Sequence, residues 1–175
     1  MRRNRLIVML VAVLAVIGVA AACSPRVDLA LAKHKNAKFK SLQLATSPKY
    51  GYTLLRDAKG IACIDNPPIG GMGVHYVQPT LVGDDKVDPL HPELLVYQPG
   101  PHHDTLVALE YVVFQAAWDA KHKSPPRLFG REFELTPAGN RYGLPAFYEL
   151  HAWVYKANPL GMFNDWNPRV TCPVK

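Results

Sequence analysis

Nine consecutive residues, Leu106 to Phe114, carry a single charged side chain, Glu110. The run is rich in β-branched and aromatic residues, so it is expected as a strand. Alternation then places Leu106, Ala108, Val112 and Phe114 on one face and Val107, Leu109, Tyr111 and Val113 on the other. A strand that is apolar on both faces must be covered on both. The chain therefore needs a sheet packed between a helix and another layer, or a sheet rolled into a small barrel.

The rest of the chain supplies the other strands. Asn-Pro at 66–67, 158–159 and 167–168, Gly-Gly at 70–71, Pro-Gly-Pro at 99–101 and Pro-Pro at 125–126 mark turns and loops. Between them lie Gly73–Gln78, Glu93–Tyr97, Thr105–Phe114, Arg131–Leu135 and Ala146–Lys156, each expected as a strand. Leu94–Tyr97 and Leu106–Phe114, joined through Pro101-His102-His103-Asp104, are expected to form a hairpin. The expected class is mainly β (α+β), an antiparallel sheet arranged as a sandwich or small barrel, with a short N-terminal helix. A length of 175 residues fits one domain plus a processing segment, and 49% hydrophobic with 19% charged residues excludes a disordered chain.

The N-terminus carries an address. Arg2, Arg3 and Arg5 precede an uncharged apolar run, Leu6 to Ala22, and Ala20-Ala21-Ala22 stand directly before Cys23. This is the three-part plan of a signal peptide, expected over 1–22. As a helix the run spans about 25 Å, short of the roughly 30 Å hydrocarbon core. Ala-Ala-Ala-Cys resembles a bacterial lipobox, in which Cys23 would bear diacylglycerol and palmitate and tie the protein to the outer side of a membrane. The alternative is cleavage nearby and plain secretion. Removing Cys23 from the three cysteines leaves Cys63 and Cys172, expected to pair as a disulfide in an oxidising compartment. A thiol–metal site is the alternative, although neither has another Cys within three residues.

Residues 23–48 are expected as a basic tether containing a short helix, in which Val27, Leu31, Phe39 and Leu42 are loosely in helical phase among Lys33, Lys35, Lys38 and Lys40. The lysines suit anionic headgroups or a solvated helix face equally well. Residues 49–175 are expected as the β-rich domain. The chain holds 20 basic and 14 acidic residues, yet Ser24–Gly60 has eight basic and two acidic, and Ile61–Lys175 nine and twelve. Positive charge confined to one segment, without interleaved aromatics, argues against nucleic acid as a partner.

Glu110 is the exception on its strand, and a buried carboxylate needs a partner or a shifted pKa. On Ala146–Lys156, Phe147, Glu149, His151, Trp153 and Tyr155 share a face, the mixture that commonly lines a ligand pocket. His75 shares a face with Gly73 and Val77. His75, Glu110, Glu149 and His151 are therefore the candidates for one cavity, able to hold a small molecule or a divalent ion such as Zn, Mn or Fe, with a second carboxylate orienting a ligand histidine. A hydrogen-bonded core pair, or a solvated Glu149/His151 face, is the structural alternative. His102-His103-Asp104 has the composition of a solvated loop tip. There is no Gly-x-x-x-x-Gly-Lys-Ser/Thr loop, His-Glu-x-x-His helix or Gly-x-Ser-x-Gly elbow. Gly70-Gly71-Met72-Gly73 is expected as a close turn into a strand.

Gly71-Met72-Gly73-Val74-His75-Tyr76-Val77, His91-Pro92-Glu93, Leu109-Glu110-Tyr111-Val112-Val113, Tyr148-Glu149-Leu150-His151-Ala152-Trp153, Asn158-Pro159-Leu160-Gly161-Met162-Phe163 and Trp166-Asn167-Pro168 together resemble motifs of a group of uncharacterised exported bacterial proteins. The likeness runs from about Ala45 to Cys172. It implies export and a shared domain and supplies no reaction. Three functions are consistent with the sequence: a lipoprotein binding a small ligand or metal, an enzyme with a cupin-like metal centre, and a structural envelope protein.

Overall fold

The computed structural model describes residues 25–173, so the expected signal peptide and the expected lipid attachment at Cys23 lie outside the described residues. Nine strands follow in chain order: β1 (Thr53–Leu54), β2 (Cys63–Asn66), β3 (Gly70–Val77), β4 (Leu94–Gln98), β5 (Thr105–Phe114), β6 (Arg127–Leu128), β7 (Arg131–Glu132), β8 (Glu134–Thr136) and β9 (Phe147–Ala152). Seven form one antiparallel sheet in the order β1-β3-β4-β5-β9-β8, with β2 also on β3. The short β6 and β7 pair apart from it. The helices are α1 (Pro25–Asn36), a 3₁₀ turn (Ala37–Lys40), α2 (Leu42–Ala45), α3 (Pro79–Val82) and α4 (Gln115–Asp119).

β5 is the central strand, as its two apolar faces require, and it is buried from Leu106 through Val113. One face packs Leu95, Tyr97, Leu106, Leu109, Tyr111, Val113, Leu150 and Ala152 against Ala32, Phe39 and Ala45 of the N-terminal helices. The segment read as a tether thus supplies three core side chains. Its inward stripe is Ala32 and Asn36 rather than Val27 and Leu31, which are 47% and 49% exposed. Asn36 Nδ2 donates to Ala32 O and Leu90 O, which holds the end of α1 against the domain. Tyr97 and Tyr155 lie under this layer and donate their hydroxyls to Phe39 O and Lys33 O.

The other face is covered by the chain after β9 and by the loop 137–146 rather than by a second sheet. It holds two apolar clusters, one of Val96, Val107, Ala108, Trp153 and Val170, the other of Leu94, Val112 and Phe147 with Tyr142 against it. Leu106 and Val107 have exchanged the faces that simple alternation gives them. Val96 pairs with Ala108 and Tyr97 with Leu106, so Val107 is an extra residue, a β-bulge that reverses the phase. The surplus carbonyl of Val107 accepts from Tyr155 N.

Three more expectations change. Gly70–Gly73 lies within β3, because Cys63–Asn66 forms a partner strand too short to stand out in the sequence. Gly73 has φ of +104°, and a Cβ there would lie 2.6 Å from Tyr97 O, so only glycine fits. Arg131–Leu135 is divided, Arg131–Glu132 pairing with β6 and Glu134–Thr136 with β9. β9 ends at Ala152 because Trp153 N donates outside the sheet, to Met162 O.

Asp57 pins the covering loop 137–146. Its carboxylate accepts from Arg141 Nη2 at 2.9 Å and from the backbone N–H groups of Lys59 and Ile61, while Ala58 N donates to Arg141 O. The Arg141 guanidinium, helped by these amides, holds the Asp57 carboxyl below the usual range. A depressed native pKa stabilises the fold above the unfolded value, about 3.9, and is lost as pH falls through the native one. Asp57→Asn should therefore lower the urea midpoint at neutral pH, and its difference from wild type should close as pH drops below about 4. Urea titrations of both proteins between pH 7 and 2 measure it; a constant difference would show that the ion pair is not the cause.

Candidate metal centre

Glu110 of β5 and His151 of β9 are directly paired in register, and His75 of β3 pairs with Val96 of β4, which in turn pairs with Ala108. All three point to the loop-covered face, on three strands, one of which (β3) is separated from β5 by β4. His75 reaches across β4 all the same: its Nε2 lies 3.3 Å from Glu110 Oε2 and 3.4 Å from His151 Nε2. One ligand atom from each of the three lies within 4.8 Å of the other two. They sit between the two apolar clusters of this face and are 2%, 4% and 0% exposed.

This is an expensive arrangement for a core. His75 Nδ1, Glu110 Oε2 and His151 Nδ1 are buried and have no hydrogen-bond partner. An unsatisfied buried polar group costs about 1–3 kcal/mol. Burial holds the His75 imidazole neutral, its pKa well below the ordinary value, and the neighbouring His151 lowers it further. Burial pushes Glu110 up to about 8 against the pull of His151. Burial also opposes charge on His151, but the carboxylates of Glu110 and Asp165 outweigh it and raise this imidazole to about 9. As metal ligands these groups would act in their deprotonated forms, so metal uptake would be pH-dependent.

The separations suit a metal. Two ligands of a tetrahedral ion, each about 2.0–2.1 Å from it, stand about 3.3–3.4 Å apart. Two imidazole nitrogens and a carboxylate are a donor set for Zn, and equally the facial set of non-haem Fe. On the far side of His151, Asp165 Oδ1 lies 3.6 Å from Nδ1 and Glu110 Oε1 3.7 Å. A carboxylate behind a ligand histidine fixes its tautomer and orientation.

Of the four candidates from the sequence, the structure brings together His75, Glu110 and His151. Glu149 shares their face but stands one strand pair further along and accepts from Thr136 Oγ1 of β8, so it borders the cluster without joining it. The second carboxylate is Asp165, which sequence phase could not find because it lies in irregular chain after β9. The same is true of Tyr142, which packs against the apolar cluster of Leu94, Val112 and Phe147. His102 and His103 are exposed on the loop between β4 and β5. Glu93, a second buried carboxyl, accepts from Val112 N, and burial lifts its pKa to about 8. Larger surface hollows lie away from the three: one of about 420 Å³ includes Lys33, Lys40, His103 and Tyr155, another of about 620 Å³ includes Arg56, Lys59, Cys63 and Cys172. The chain matches no protein-family model, no curated protein and no solved structure.

Proposed function

We propose that this chain is an exported, lipid-anchored domain that binds one divalent metal ion, Zn in the first instance, through His75, Glu110 and His151. The observation that carries this reading is the convergence of the three on a buried spot where each leaves a polar atom without a partner. An ion coordinated by Glu110 Oε2 and the two Nε2 atoms would give that carboxylate oxygen the partner it lacks, and an apolar ligand would not; the two Nδ1 atoms lie away from the ion. The separations of His75 Nε2 from Glu110 Oε2 and from His151 Nε2 support the three as ligands, and the position of Asp165 supports it as the residue that orients His151. The near-complete burial of the three favours a held ion over one that turns over a substrate, so binding is preferred to the metal-enzyme reading. The Cys63–Cys172 disulfide supports an oxidising compartment, which agrees with the leader and Cys23.

The test is equilibrium dialysis of the exported protein, stripped with chelator, against Zn, Mn and Fe(II). One equivalent of Zn per chain is expected. Glu110→Gln keeps the shape and removes the ligand, and should weaken uptake by about a hundredfold or more, beyond the 10–100-fold typical of outer-shell partners, with the far-UV spectrum unchanged. A wild type that binds none of the three metals overturns the reading.

A further inference from the structure

An ion held by His75, Glu110 and His151 has no open path to solvent, so some part of the wall must move to admit or release it. Two sides of the wall are sheet, made of β3, β4, β5 and β9, and the pairing of β5 with β9 runs unbroken past Glu110 and His151. The remaining wall is the loop 137–146, pinned through Arg141 to Asp57, and the chain after β9, residues 153–173, which has no regular secondary structure beyond one bridge. Trp153 stacks on His151 with ring centroids 5.9 Å apart and donates Nε1–H to Asn164 O. Asp165 follows at His151 Nδ1. Asn167 and Gly71 then exchange backbone hydrogen bonds of 3.0 and 3.1 Å, which lays the strap along the first residues of β3. Val170 seals the nearer apolar cluster against Val96, Ala108 and Trp153. The fit is close, since a Cβ on Gly71 would lie 2.8 Å from Val170 O.

Only a few interactions hold this strap to the sheet, and beyond Val170 the anchor is covalent. Cys172 joins Cys63 at the start of β2, the strand that pairs with Gly70–Val74 just before His75. The disulfide fixes the far end of the strap to the strand beside the one that carries the first ligand. With it, the strap can lift only as a loop closed at both ends; without it, the strap can peel from the end at Cys172.

On the reading of a metal centre above, we propose that the strap 153–173 is the gate of that centre and that the Cys63–Cys172 disulfide is its latch, setting the rate at which a divalent ion exchanges. The strap also carries the carboxylate that orients His151, so opening exposes the ion and withdraws Asp165 together. Opening speeds capture as well as escape, and the latch acts chiefly on rates.

The experiment loads the oxidised exported protein with Co(II), whose visible spectrum reports the ligand set, adds excess EDTA at a temperature well below any melting transition, and follows the loss of colour. Release from Cys63→Ser/Cys172→Ser should be at least tenfold faster than from wild type. Val170→Ala, with the disulfide intact, should be faster by severalfold, and carries the test by itself if the disulfide-free variant does not fold. Tyr52→Phe removes a hydroxyl donated to Pro92 O on the opposite face and reports global loosening; its release should match wild type. Equal release from wild type and Val170→Ala, or acceleration in Tyr52→Phe as large as in the strap variants, overturns the gate while leaving the metal centre standing. A wild type that takes up no Co(II) or Zn overturns both.

Discussion

Zinc at a hundred times its dissociation constant should raise the melting temperature of the wild type by about 5–10 °C and leave that of Glu110→Gln unmoved. An ion that binds only the native state adds about 2.7 kcal/mol at that excess, and a domain of 150–250 residues gains about 2–4 °C for each kcal/mol. The ion supplies the partner that the buried Glu110 Oε2 lacks in the metal-free protein, and its binding to the native state alone sets the size of the shift. Differential scanning calorimetry with and without zinc, followed by chelator to reverse the shift, measures it. A shift of the same size in both proteins would place the zinc elsewhere, His102 and His103 being the first exposed histidines to replace.

Loss of the Cys63–Cys172 bond should cost about 4–5 kcal/mol, or about 10–15 °C in melting temperature. The bridge joins residues 109 apart, so breaking it frees nearly the whole described domain in the unfolded state, and loop-closure entropy grows with the length of the loop. Urea unfolding of wild type and of Cys63→Ser/Cys172→Ser, without metal, checks this. A loss below about 1 kcal/mol would mean that the denatured chain gains little freedom when cut there. The two bridged halves of the molecule would then hold together through the sheet alone.

The parts of this fold that could be foreseen are those governed by alternation. Thr105–Phe114 has the same ends in sequence and structure, and the face assignments of Glu110, His151 and His75 hold because no irregularity intervenes between Leu109 and Phe114 on β5 or along its partner β9. Leu106 was misplaced because a bulge leaves no mark in composition, only an extra residue opposite Tyr97. The disulfide followed from counting, not geometry. Asp165 and Tyr142 were out of reach for a different reason: they sit on irregular chain, where position comes from anchors such as Cys172, Asn167 and the Asp57–Arg141 pair rather than from any period. On α1 the inward stripe was misjudged because Ala32 and Asn36 carry less hydrophobicity than the exposed Val27 and Leu31.

The bulge at Val107 also insulates the proposed metal ligands from the hairpin beside them. Phase along β5 is set twice, once on each side of this residue. On the side of Glu110 it is fixed by β9, whose register from Leu109 to Phe114 is continuous. On the side of Leu106 it is fixed by Tyr97 and Gln98 at the mouth of the loop 99–104. A residue gained or lost in that loop is therefore absorbed where the strand already slips, and the glutamate keeps its face. Ordinary strands transmit such a change to their far end, turning every side chain over; this one confines it, so the loop is free to vary in length while the ligand set stays fixed.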